Sequence, residues 1–169
     1  LADLAARVDL GDAAERRASG DWKSAVRLAS RASAQAAELS EAAQLISGGA
    51  LLDAASAAYE NAAYGRARTL AQQAADYPPT RRSGLMRAAW SDLQLGNAPD
   101  AAAAFSRLYL ETPDAEAAEG YALAAEQTGD LDTAAALART LGGPLGAKVQ
   151  ARYAAVAFNQ GDYLTARAH

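Results

Sequence analysis

Between Arg82 and Ala115 the apolar residues recur at helical spacing, with Leu85, Ala88, Ala89, Leu93 and Leu95 on one stretch and Ala101, Phe105 and Leu108 on the next. Gly96 lies between them, where a left-handed backbone is cheap only for glycine or asparagine, so it predicts the end of a first helix. Pro99 fits the first turn of a second helix, which has no need of its amide, and Thr112-Pro113-Asp114 closes that helix. The pattern completes one helical hairpin in about 33 residues.

The same punctuation returns along the chain as a Gly-Asp-aromatic-x-x-Ala phrase. It reads Gly20-Asp21-Trp22-Lys23-Ser24-Ala25 and Gly161-Asp162-Tyr163-Leu164-Thr165-Ala166, with weaker copies from Gly96 to Ala101 and from Gly129 to Ala134 and a degenerate one from Ala62 to Ala67. Starts at 62, 96, 129 and 161 are 34, 33 and 32 residues apart, the period of a stacked helix-turn-helix array. The interval from Gly20 to Ala62 is 42, and Trp22 to Ile46 holds no proline or glycine. This predicts one long helix there, ended by Ser47-Gly48-Gly49. Residues 1–47 then form a divergent hairpin, followed by repeats at about 48–81, 82–114, 115–146 and a truncated 147–169, so the sequence reads as an excerpt of a longer protein.

These residues resemble the tetratricopeptide repeat family. The family has a small residue midway along each first helix, matched by Ala55, Ala89, Ala122 and Ala154. Its alanine after the turn is matched by Ala25, Ala67, Ala101, Ala134 and Ala166, and its closing proline by Pro79 and Pro113, with Pro144 two residues early. Helices crossing at close range tolerate only a methyl group where they touch. The resemblance implies an all-α, superhelical array of antiparallel hairpins, a TPR-like α-solenoid.

Composition narrows the function. Hydrophobic residues make up 51% of the chain but aromatics only 7%, so much of the core is alanine, which suits thin helix-on-helix layers. The net charge is −4, with ten basic and ten acidic groups in residues 1–85 and six and ten in 86–169, leaving no basic stripe for nucleic acid. The uncharged run from Ala42 to Leu52 is 11 residues, too short to cross a bilayer.

Catalytic chemistry is nearly absent from the inventory. His169 is the only histidine and there is no cysteine, so neither a nucleophilic triad nor a nitrogen- and sulfur-ligated metal site can be assembled. Gly142-Gly143-Pro144-Leu145-Gly146 lacks the lysine and Ser/Thr of a phosphate loop and reads as a linker between repeats. Asp130 and Asp132 read as helix N-terminal carboxylates, and the acidic corner of Glu111, Asp114, Glu116 and Glu119 as a solvated rim. No enzyme activity, cofactor or metal is expected.

In the family the first helices line a concave face. Carried over, that face holds Asp53, Ser56, Tyr59 and Glu60, then Met86, Arg87, Trp90 and Gln94, then Glu119, Leu123 and Glu126, then Lys148, Arg152, Phe158 and Asn159. Trp90 with Arg87 is the expected hot spot, Phe158 with Arg152 the second, and Tyr59 and Lys148 complete the partner-binding set. Lys148 and Arg152 have the spacing of two basic residues of a carboxylate clamp, but Gly120, Met86 and Trp90 stand where its other members would be. Tyr64, Tyr77, Phe105, Tyr109, Tyr121 and Tyr153 read as packing residues.

The resulting expectation is a noncatalytic scaffold that holds a protein partner or an adjacent domain. The alanine-rich, cysteine-free style is similar to the periplasmic arm of a bacterial exopolysaccharide, cellulose-type, export protein, which favours the periplasm over the cytoplasm and adds a polysaccharide as a second ligand class. An intracellular adaptor or assembly factor is the alternative.

Overall fold

The computed structural model describes residues 2–159, and the side chains of Lys148, Arg152, Tyr153 and Asn159 lie outside the described residues. The described residues form nine α-helices: α1 Ala2–Ala18, α2 Trp22–Gln35, α3 Ser40–Glu60, α4 Tyr64–Ala75, α5 Arg81–Gln94, α6 Ala98–Glu111, α7 Ala115–Thr128, α8 Leu131–Leu141 and α9 Gly143–Asn159. Short 3-10 turns at Ala37–Leu39 and Pro78–Thr80 precede α3 and α5. The chain divides into two compact units, one up to Ser91 and one from Asp92.

The recurring phrase builds the turns as its chemistry requires. Gly20, Gly96 and Gly129 have φ of +80°, +81° and +83°. Asp21 and Asp130 then cap the next helix, accepting from the amides of Ser24 and Thr133 at 3.2 Å each. In the degenerate copy, Ala62 takes the left-handed position itself, at φ +56°. The alanines that follow, Ala25, Ala67, Ala101 and Ala134, are all fully buried.

In the first unit, α1, α2, α3 and α4 pack as sequential antiparallel neighbours. Leu51, Ala55, Ala58, Ala67, Leu70, Ala71, Ala74 and Ala88 form its larger core, and Ala13, Leu28, Ala29 and Ala43 a second one. Helix α5 lies directly on α4 through Gly84, where a Cβ would stand 2.6 Å from the Ala71 carbonyl oxygen. In the second unit, α6 to α9 pack in the same sequential way. Phe105 is fully buried and occupies the space over Gly120 that a side chain there would need. Small clusters of Ala125, Ala134 and Ala138, and of Ala118, Ala122 and Leu137, complete that core.

Two expected elements differ. The long helix from Trp22 to Ile46 is interrupted: α2 ends at Gln35, and Ala36 is extended at φ −143°, ψ 103°. Buried Ala25, Leu28, Ala29 and Ala32 hold one face of α2 on the core, and Ala36 is itself buried at 5% exposure, so packing overrides local helix propensity. Ser47-Gly48-Gly49 does not end a helix but lies inside α3. These positions are close approaches, since a Cβ on Gly48 would collide with the Thr80 hydroxyl and one on Gly49 with the Arg17 guanidinium. Likewise, the glycine-rich segment is a linker only at Gly142, because α9 already begins at Gly143.

Candidate functional site: the aromatic and arginine face of the first unit

Helices α3 and α5 carry the expected face within the first unit. Tyr59 sits on the last turn of α3, half buried against the larger core, and the Tyr64 ring at the start of α4 meets it edge-on at 5.2 Å between centroids and 68° between planes. From α5, Arg87 places its guanidinium carbon 5.1 Å from the Tyr59 ring centroid. Such a contact contributes roughly 0.5–1 kcal/mol at an exposed site. Among the described residues Arg87 has no carboxylate partner, so its charge rests on an aromatic surface and its guanidinium donors remain for another molecule.

Trp90 is half buried one turn beyond Arg87, and Ser56 is half buried one turn before Tyr59, while Asp53 and Glu60 are exposed. Tyr59, Arg87 and Trp90 thus belong to one unit. Phe158 belongs to the other, on the last turn of α9, with 60% of its surface exposed. Lys148 and Arg152 are placed on α9 by their backbones, and their side chains lie outside the described residues.

Two positions carried over from the family turn the other way. Met86 is 6% exposed and Glu126 5%, so both point into packing. Met86 lies about 100° around α5 from Arg87, whereas Glu126 keeps the helical spacing of Glu119 and Leu123 and is buried all the same. Asp114, from the acidic corner, caps α7 by accepting from the Ala117 amide at 2.8 Å. The corresponding cap on α8 is Asp130.

A residue of the first unit that spacing did not single out is Arg17 on α1. Its Nε donates to Asp53 Oδ2 at 2.7 Å, joining α1 to α3. The signal was Gly49, because a glycine inside a helix marks a close approach. A second ion pair, Arg31 with Asp9, ties α2 to α1. Asp9 is nearly buried, and hydrogen bonding from Arg31 holds its carboxyl below the ordinary value against the opposing effect of desolvation. Asp21 is also lowered, first by the Ser24 hydroxyl and then by the Ser24 amide.

Among the described residues no group of three or more His, Cys, Asp or Glu side chains could hold a metal ion, and no helix is long and apolar enough to cross a membrane.

The helical hairpins define an all-α repeat fold of the tetratricopeptide-like kind. A solved structure described as "MamA RS-1 ArsTM double mutant", itself a tetratricopeptide-like repeat protein, is similar to this chain with a TM-score of 0.57 over 97% of this chain and 89% of that one. The two are 16% identical in sequence, so the likeness is one of fold. No protein-family model matches the chain, and no curated protein matches it.

Proposed function

We propose that this chain is a noncatalytic scaffold whose first unit holds a protein partner on the face formed by Tyr59, Arg87 and Trp90. The observation that carries the reading is the Arg87 guanidinium resting on the Tyr59 ring without a carboxylate partner among the described residues. An arginine flattened on an aromatic ring has already lost much of its side-chain freedom, so further hydrogen bonds from it cost less ordering. Half-buried Trp90 beside it supplies the rigid apolar area on which interface energy concentrates. The same face would serve an export-apparatus arm and an intracellular adaptor alike, and the identity of the captured partner decides between those settings.

Photo-crosslinking in the source cells tests the proposal. A crosslinker at Ser56, beside the Tyr59 and Arg87 pair, is expected to capture one partner that a crosslinker at exposed Thr69 on α4 does not. Arg87→Ala and Tyr59→Ala are expected to remove that adduct. With the partner in hand, Trp90→Ala should weaken binding by about 2 kcal/mol or more. Equal adducts from Ser56 and Thr69, or an adduct indifferent to Arg87→Ala, would overturn the assignment.

A further inference from the structure

Between Gln35 and Ser40 the chain reverses direction almost entirely on one residue. Ala36 is extended at φ −143°, ψ 103°, whereas Leu39 at φ −90°, ψ 0° and Ser40 at φ −58°, ψ −43° are already right-handed, with the 3-10 turn Ala37–Leu39 leading into α3. Each of the other helix connections among the described residues holds a glycine, a proline or an asparagine, which ends a helix by its own chemistry. This one holds only alanine, glutamate and leucine, all good helix formers. Neither Ala36 nor Leu39 supplies a side-chain cap. The Ala36 amide still donates to the Ala32 carbonyl at 3.0 Å, so α2 is regular up to the residue that turns.

Packing between α2 and α3 is what folds the chain back. Leu28 and Ala29 of α2 meet Ala43 of α3 and Ala13 of α1 in one core cluster, and Trp22 and Val26 lie against the other, which holds Leu51 and Ala55. None of these contacts requires both helices to belong to one chain. With Ala36 at helical angles, α2 and α3 become one helix from Trp22 to Glu60, about 58 Å long at about 1.5 Å per residue. Two such helices side by side and antiparallel, about a two-fold axis at the hinge, set α2 of each copy on α3 of the other. The core contacts then form twice between copies, as does the ion pair of Arg17 on α1 with Asp53 on α3. Only the hinge differs, and it changes in the direction its residues favour.

We propose that this chain exchanges its α1 and α2 hairpin with a second copy, fusing α2 and α3 into one helix and closing a two-fold dimer. Association removes translational and rotational freedom, so the monomer holds in dilute solution and the exchanged dimer forms as concentration rises. Tyr59 and Arg87 lie beyond the hinge, on α3 and α5, and stay together in either form.

Proline separates the two hinge states. Ala37 opens the 3-10 turn, where a missing amide is tolerated, and the residue ahead of a proline favours the extended backbone that Ala36 already has. In a continuous helix a proline at position 37 would remove the bond to the Ser33 carbonyl and clash with it. The whole chain, which has no cysteine of its own, is spin-labelled through Lys23→Cys on α2 and Ala57→Cys on α3, both exposed positions. It is unfolded and refolded at micromolar and at millimolar concentration in excess unlabelled chain, then sized by light scattering, and the distance within the labelled chain is read by double electron–electron resonance. Micromolar refolding is expected to give monomers with the labels within about 20 Å, since packed helices lie about 8–10 Å apart. Millimolar refolding is expected to give dimers with the labels about 50 Å apart, the length of the roughly 34 helical residues between them. Ala37→Pro should remain monomeric at both concentrations. Ala37→Gly, which lowers helix propensity at both hinges of the dimer, should weaken dimerisation at least tenfold, and decides the matter if the proline variant folds poorly. Monomers at every concentration, a dimer that keeps the short distance, or a dimer indifferent to the hinge substitutions overturns the proposal.

Discussion

Ala62 holds the left-handed backbone that Gly20, Gly96 and Gly129 hold at the other turns. A Cβ makes that conformation costly by about 1–2 kcal/mol. Ala62→Gly is therefore expected to stabilise the chain by about 1 kcal/mol, after the extra freedom of glycine in the unfolded chain is set against it, as a higher urea midpoint. Helical glycines give the opposite pair of outcomes. Gly11, with nothing near a would-be Cβ, should gain about 0.5–1 kcal/mol on replacement by alanine. Gly84→Ala should lower the melting temperature, because its new methyl would meet the Ala71 carbonyl at 2.6 Å. The turn glycines were legible in the sequence because their neighbours spell a turn. Those inside α3, α5 and α7 were not, since only a partner from elsewhere in the chain gives them a purpose.

At the scale of elements, the hairpins from α5 onward follow the apolar spacing closely, and the break at Ala36 does not. Nothing between Ala32 and Ala37 disfavours a helix locally, so the interruption belongs to packing and was invisible to periodicity. What joins α1 to α2 is also non-local. Asp9 and Arg31 are 22 residues apart, and their pairing depresses the Asp9 carboxyl in the folded chain. A depressed folded value means that the pair's stabilisation is fully present above the unfolded carboxylate value of about 4 and is lost as pH falls through the folded one. Acid titration followed by circular dichroism should show stability declining below about pH 4, with the decline shallower in Asp9→Asn.

For the molecule as a whole, the sequence disclosed the helical repeat but not which of its expected face residues are buried. Tyr59 and Arg87, expected on one face from family positions and helical spacing, do meet in the structure, whereas Met86 and Glu126, expected there by the same arithmetic, are buried. Arg17 escaped notice because its role depends on the empty position at Gly49 in another helix. Burial also shows a core of unusual make-up, with Ala25, Ala55, Ala67, Ala101, Ala122 and Ala134 fully enclosed. Ala55→Leu is expected to cost roughly 1–3 kcal/mol by overpacking, measured as a lower denaturation midpoint. Most interiors are wounded by truncation, when a large side chain is cut back and leaves a void. At the alanine positions there is almost nothing left to trim, so a mutational scan there should read inverted, with harm coming from atoms added, while truncation keeps its usual cost at the few large buried side chains such as Phe105 and Leu108.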